Sequence, residues 1–166
     1  MGRINSQIKG KTYERFISKK FNTNLSIQFF RVPNSGGLNI KGDVYAEDKN
    51  FPFVVECKNC QTYYFKRWLT QLDGEMLYER KHGILVFHRP FSTIDYCLLV
   101  PKNEEENFGI ESIKKTINLN KNNVNKIEQG IYKFYAGYVM RLDTVFPIIK
   151  KYIRKKGDEY IAAKTN

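Results

Sequence analysis

Residues 42–58 read GDVYAEDKNFPFVVECK, two runs suited to β-strands on either side of Asp48-Lys49-Asn50, a cluster of turn-forming residues. The expected strands extend over 39–47 and 51–58. Residues two apart in a strand share a face, so Glu56 and Lys58 project together while Val55 and Cys57 turn the other way into a core. With the turn centred between residues 49 and 50, the numbers of cross-strand partners total 99, which sets Asp43 opposite Glu56. Facing Cβ atoms in an antiparallel pair lie about 4.5–5.5 Å apart, so two carboxylates there repel unless a cation or a proton sits between them. A hard divalent ion meets that need. Mg²⁺ takes one or two carboxylates together with waters and phosphate oxygens, polarises a phosphate and makes hydroxide available near neutral pH. Lys58, about 7 Å along the same face, is placed to hold an attacking water or to offset charge on the phosphorane. A β-bulge would shift this register by one residue. Exposed hairpins commonly carry Asp, Glu and Lys as no more than a solvated face. Here Phe51, Phe53, Val54 and Val55 lead into Glu56, an apolar run that suits a central strand, and a buried carboxylate needs a partner.

Working outward, Tyr13, Phe16, Ile17 and Phe21 form one stripe of an amphipathic helix over 11–21. At about 100° per residue, Glu14 borders that stripe and Arg15 faces solvent. Residues 26–32 read as a strand ended by Pro33 and the turn-forming 34–37. On the other side of the hairpin, a 3.6-residue apolar stripe predicts a helix over 63–81, with Gly83 placed to end it. The apolar runs 84–88 and 96–100, each closed by a proline, read as strands buried on both faces. The order is thus α-β-β-β-α-β-β. Beyond Pro101 come an acidic stretch at 104–106, a helix expected near 110–117, an exposed Asn/Lys-rich loop over 118–126, and a segment 131–140 that fits strand or helix. Asp143 caps a final helix running to Lys156, with Pro147 near its first turn and Gly157 after it. No repeat or linker divides the 166 residues, which are expected to form one domain with a core over about 8–100 and a basic extension over about 101–166.

The chain carries 28 Lys plus Arg against 17 Asp plus Glu, a formal charge of +11 that favours polyanions, nucleic acid first. Six basic residues against one acid fall in 1–21, and six against two in 147–166. Lys150, Lys151, Arg154 and Lys155 would cover a broad face of the last helix. Such charge often only solubilises, but beside a phosphate-directed hairpin it would position a duplex rather than read its sequence. No apolar run approaches the roughly 18 residues of a membrane helix, and no leader is evident at the start, so a cytoplasmic protein is expected. Cys57, Cys60 and Cys97 are too few for a disulfide framework. The Cys57/Cys60 CxxC lacks a second pair and His82 and His88 lack ligand spacing, so buried structural cysteines are expected rather than a zinc site. His88, near a strand end, could reach the hairpin site, although a lone histidine is more often structural. No glycine-rich phosphate loop or nucleophile elbow is present, so no nucleotide cofactor is expected.

In order along the chain, Lys9-Gly10-Lys11 through Glu14-Arg15, Arg31-Val32-Pro33 with Ser35-Gly36-Gly37, Gly42-Asp43-Val44 and Glu56-Cys57-Lys58 resemble the PD-(D/E)XK nuclease superfamily. Within it, they resemble the Holliday-junction resolvases of archaeal and phage type. The resemblance covers residue 8 to about 100. It implies an α/β fold with a restriction-endonuclease-like αβββαβ core, a central mixed sheet flanked by helices. It further implies that Asp43, Glu56 and the backbone carbonyl of Cys57 ligate Mg²⁺, with Mn²⁺ as a substitute, that Lys58 assists the nucleophilic water, and that Glu14 supports the metal. Lys9, Lys11, Arg31 and Ser35 would contact DNA, the last two near the scissile phosphate. Gln71 lies where related nucleases often place a polar residue, but its spacing favours a surface glutamine. Gly42 stands where the motif's name has proline. The implied enzyme is a structure-selective endonuclease that resolves four-way junctions by paired nicks as a homodimer, with branched or duplex DNA as its partner, and leaves a 5′-phosphate and a 3′-hydroxyl. A restriction- or repair-type nuclease and a non-catalytic DNA-binding module are the rival readings, and clustered acids beside DNA phosphates disfavour the module. The Lys and Asn content is in keeping with an AT-rich genome such as a phage's.

Overall fold

The strand at the centre of the hairpin buries side chains on both its faces: Phe53, Val55 and Cys57 join one apolar cluster and Val54 another on the opposite side. Such a strand needs a covering layer on each side, and the computed structural model provides both. It describes residues 6–33, 40–88, 92–103, 105–110, 112–119, 127 and 130–165, with side chains to 158. The elements are α1 (Ser6–Leu25), β1 (Phe29–Arg31), β2 (Val44–Ala46), β3 (Phe53–Lys58), α2 (Phe65–Glu79), β4 (His82–His88), β5 (Asp95–Val100), a 3₁₀ turn (Glu105–Phe108), β6 (Tyr132–Phe134), β7 (Gly137–Arg141) and α3 (Leu142–Thr165). The strands form a single sheet in the order β1-β2-β3-β4-β5-β7-β6. The β3–β4 pair is parallel, with α2 as its crossover, and the other pairs are antiparallel. From α1 to β4 this is the αβββαβ order of a restriction-endonuclease-like core, inside a larger α/β sheet.

Helices α1 and α3 cover one face with the 3₁₀ turn, while α2, Leu119 and Ile127 cover the other. In α1, Tyr13, Ile17, Phe21 and Leu25 recur every four residues and are buried, which lays the helix lengthwise on the sheet. Phe16, expected on that stripe, is exposed; it stacks on Tyr13 at 6.4 Å with the Lys20 ammonium over its ring. A buried carboxylate, Asp95 on β5, ties α1 down by accepting from the Tyr13 hydroxyl at 2.9 Å and the Lys20 ammonium at 3.1 Å. His88 Nδ1 lies 2.9 Å from the same Asp95. Among the described residues no helix is long and apolar enough to cross a membrane.

Several expectations change. Residues 110 and 112–117 form no helix, because Lys133 of β6 takes their backbone groups: Ile117 N–H donates to the Lys133 carbonyl and Lys133 N–H to that of Lys115. Of the expected loop over 118–126, Leu119 is buried and 120–126 lie outside the described residues. The ambiguous segment 131–140 is the β6–β7 hairpin, and β7 pairs with β5. Gly83 does not end α2; Arg80 does, in a left-handed conformation with φ 57°. Gly83 instead sits in β4, where a Cβ would come within 2.5 Å of Met76 Sδ. Helix α3 continues past Gly157, with Pro147 inside it. Cys57 and Cys97 are buried as expected, but Cys60 is exposed.

Candidate functional site

Val44 pairs with Val55, the register expected from the turn. Asp48 closes that turn, accepting from Phe51 N–H through its carbonyl at 3.0 Å and from Asn50 N–H through Oδ1 at 2.9 Å. One residue before β2, Asp43 donates its N–H to the Val55 carbonyl at 2.8 Å, and its Oδ2 accepts from Cys57 N–H at 2.9 Å. Gly42 allows this close approach: its φ is +88°, and a Cβ there would come within 2.8 Å of the Val55 carbonyl oxygen. Proline, fixed near −65°, has no access to that conformation, so the departure from the name motif is a requirement of this backbone.

Asp43 and Glu56 are both buried, Glu56 to 1% exposure. The Lys58 ammonium donates to Glu56 Oε1 at 2.7 Å and to Gln71 Oε1 at 3.0 Å. Gln71 donates its amide to Glu56 Oε1 as well and to Glu75 Oε1 at 3.0 Å. Glu75 Oε2 is buried and has no hydrogen-bond partner among the described residues. These groups line a cleft of about 620 Å³ together with Ile40, Lys41, Gly42, Thr70, Gly74 and Tyr78. Lys41 places its ammonium 4.7 Å from the Tyr78 ring. On α1, Glu14 is half-buried and accepts from Arg31 Nε at 2.7 Å.

The electrostatics are those of an acid cluster short of positive charge. Burial, then Asp43 and Glu75, push the Glu56 carboxyl up to about 8, against the opposing pull of Lys58. Burial and then Asp43 also raise Glu14, with Arg31 opposing. Glu75 is raised by burial first and by Asp43, while the Gln71 hydrogen bond works the other way. Burial disfavours the Lys58 ammonium, but Glu56, Asp43 and Glu75 outweigh it and hold Lys58 above its ordinary value. Lys58 is therefore a cation at neutral pH, able to donate but not to act as a base.

Of the residues singled out in the sequence, Asp43, Glu56 and Lys58 line the cleft, and Glu14 is close enough for Asp43 to raise its pKa. Arg31 pairs with Glu14. Lys9 and Lys11 are exposed on α1, and Lys11 lowers the Glu14 pKa. Ser35 lies outside the described residues. Lys150, Lys151, Arg154 and Lys155 are exposed on α3 and do not line the cleft. Tyr152, among them, packs on Phe53 and His82 at the opening residues of β3 and β4, whereas the acids gather farther along β3. His88 is taken up by Asp95 and does not line the cleft either. Gln71, read as a surface side chain, is exposed but bonds to both Glu56 and Lys58. Sequence reasoning also passed over Glu75 and Lys41. Gln71, Glu75 and Tyr78 share one helix face, but that spacing is equally that of a solvent-facing helix.

Among the described residues no three His, Cys, Asp or Glu side chains are grouped as a metal site. The donor chemistry nevertheless fits a hard divalent ion of the kind that takes one or two carboxylates and otherwise water and phosphate oxygens. Asp43 and Glu56 would supply the carboxylates, the orphaned Glu75 oxygen lies on the same cleft, and a cation would relieve the repulsion that raises Glu56. A family model described as "Phage putative PDDEXK endonuclease" matches residues 5–155. Among solved structures, the chain is similar to Hjc, a Holliday junction resolvase of Archaeoglobus fulgidus, with 12% identity and a TM-score of 0.41 over 84% of this chain and 93% of that one. No curated protein matches the chain.

Proposed function

The chain belongs to the phage PD-(D/E)XK endonuclease family, and we propose that it is a Mg²⁺-dependent, structure-selective DNA endonuclease that resolves four-way junctions by paired hydrolysis of phosphodiesters. The observation that carries this reading is the buried Asp43–Glu56 pair with the Lys58 ammonium 2.7 Å from Glu56, open to a cleft beside it. Asp43, Glu56 and the Cys57 carbonyl would hold the ion, with Mn²⁺ able to replace Mg²⁺. The chemistry such an ion supplies is polarisation of the phosphate and acidification of water.

The protein's own groups do the rest. Lys58 donates a hydrogen bond to the attacking water or to the oxygen on which charge develops, and Gln71 fixes its direction by accepting from it at 3.0 Å. Glu14 and Arg31 brace the first helix against the sheet edge beside Asp43. Lys41 brings a positive charge to the cleft, where a phosphate would bind. The exposed Lys9, Lys11, Lys150, Lys151, Arg154 and Lys155 would position duplex arms by their phosphates. A junction has two equivalent strands to nick, so the working form is a homodimer with twofold-related sites. Residues 1–166 act as one nuclease domain.

The test is purified protein with Mg²⁺ on labelled four-way junction, flap and linear duplex, with Asp43→Asn alongside. Paired symmetric nicks in the junction alone support the proposal. Equal cutting of linear duplex replaces it with a restriction- or repair-type nuclease, and binding without cutting replaces it with a DNA-binding module. An Asp43→Asn protein as active as the parent removes the metal assignment whatever the substrate.

A further inference from the structure

A second groove, of about 920 Å³, opens beside the catalytic cleft and shares Thr70 and Gln71 with it. Tyr63, Tyr64, Phe65 and Tyr135 line it, with Phe134 packed behind them. Phe65 stacks on Tyr63 at 5.5 Å and meets Phe134 edge-on at 5.1 Å, and Phe134 meets Tyr135 at 4.6 Å. The row thus runs from the buried Phe65 and Phe134 outward to Tyr135, which is 64% exposed; Tyr64, on the same groove, is 59% exposed. Lys66 and Arg67 line the groove from the first turn of α2, a turn that holds no acid.

Tyr135 is held there at a cost. It occupies the β6–β7 turn with φ +51°, a region in which a bulky aromatic residue is rare and glycine is ordinary. Its ring rests edge-on against Phe134 but stays mostly open to solvent, while glycine would hold the same turn without the backbone cost. Strained residues of this kind gather at ligand sites.

We infer that this groove receives unstacked bases of the DNA strand whose phosphodiester lies at Asp43 and Glu56, with Tyr64 and Tyr135 as stacking platforms and Lys66 and Arg67 on the flanking phosphates. Every base has a π-face, so aromatic rings interleaved with cations bind single-stranded DNA without reading its sequence. Duplex bases are already stacked and cannot enter. The groove would therefore favour strands at a branch point, where stacking is broken. This inference deepens the proposed nuclease reading and rests on it for the placement of the strand.

The test measures binding without catalysis. Fluorescence anisotropy in EDTA would follow a labelled oligo-dT of about twelve nucleotides and a blunt duplex of the same length, for the parent, Tyr64→Leu/Tyr135→Leu and Tyr64→Phe/Tyr135→Phe. Leucine keeps apolar surface but removes the π-face, and phenylalanine keeps both. Loss of stacking on two bases is expected to weaken oligo-dT binding by roughly 30-fold or more, with the duplex within twofold and the phenylalanine protein like the parent. Equal losses on both DNAs, or none on oligo-dT, overturn the inference. Circular dichroism and the phenylalanine protein separate misfolding from lost stacking. A parent that binds oligo-dT through these tyrosines yet cuts no DNA leaves the groove standing and removes the nuclease reading; a parent that cuts DNA while the leucine protein binds oligo-dT unchanged does the reverse.

Discussion

Replacing Glu56 by glutamine removes a buried charge while keeping the side chain's shape. The Glu56 carboxyl titrates at about 8 in the folded chain because it is buried beside Asp43, whereas an unfolded glutamate titrates near 4.3. Between those values the folded chain holds a proton that the unfolded chain has released, so stability falls as pH rises through the window and levels off above it. The gap corresponds to about 5 kcal/mol, less whatever Lys58 loses when its partner becomes neutral. For a protein of this length 1 kcal/mol moves Tm by about 2–4 °C, so Glu56→Gln should melt roughly 10 °C above the parent at pH 9 and close to it at pH 4.5. The assay is thermal unfolding by circular dichroism across that range in EDTA. Replacing EDTA by Mg²⁺ at pH 9 should raise the parent's Tm and leave the variant's unchanged, since a cation and a proton compete for the same carboxylate. Parallel Tm curves for the two proteins across pH would refute the claim that Glu56 is buried against an uncompensated acid.

Three further substitutions probe neighbouring features. Gly42→Pro should abolish cleavage and cost more than about 3 kcal/mol in urea unfolding, because it imposes the wrong φ and presses on the Val55 carbonyl. Gln71→Ala should reduce cleavage by roughly 10- to 100-fold if Glu56 holds the ion as proposed, the usual effect of losing an outer partner of a metal ligand, while its exposed position leaves urea stability within about 0.5 kcal/mol. Asp95→Ala should cost about 3–5 kcal/mol by the same method, since it strands the Lys20 ammonium and the Tyr13 hydroxyl; Tyr13→Phe should cost only about 1 kcal/mol.

The hairpin was legible in the sequence because its information is local. Asp48, Lys49 and Asn50 close a tight turn, and alternation then leaves one register that buries Val44 and Val55. Glu14 could likewise be placed from helical phase alone. Gln71 and Glu75 could not, because polar residues four apart on a helix look the same whether they face solvent or a cleft, and only the approach of β3 decides between them. The expected helix over 110–117 failed for a related reason: Lys133, sixteen residues beyond that segment, captures its backbone hydrogen bonds. Gly83 resembles a helix stop signal only locally; its need for a missing Cβ comes from Met76 and Leu72 packing across from it. Pro147 and Gly157 lie within α3 because burial of Val145, Phe146, Ile149 and Tyr152 outweighs their weak helix preference.

The placement of β7 between β5 and β6 has a consequence during synthesis. Glu14, Asp43, Glu56, Lys58, Gln71 and Glu75 have all left the ribosome by the time residue 100 does, yet the outer edge of β5 finds its partner only when residues 137–141 follow. Until then the nascent chain displays an apolar strand with unpaired N–H and C=O groups, a surface prone to pair with other chains. A message cut short after Val100 thus yields a sticky fragment carrying every acid of the site, and the last quarter of the chain decides whether those acids become an enzyme.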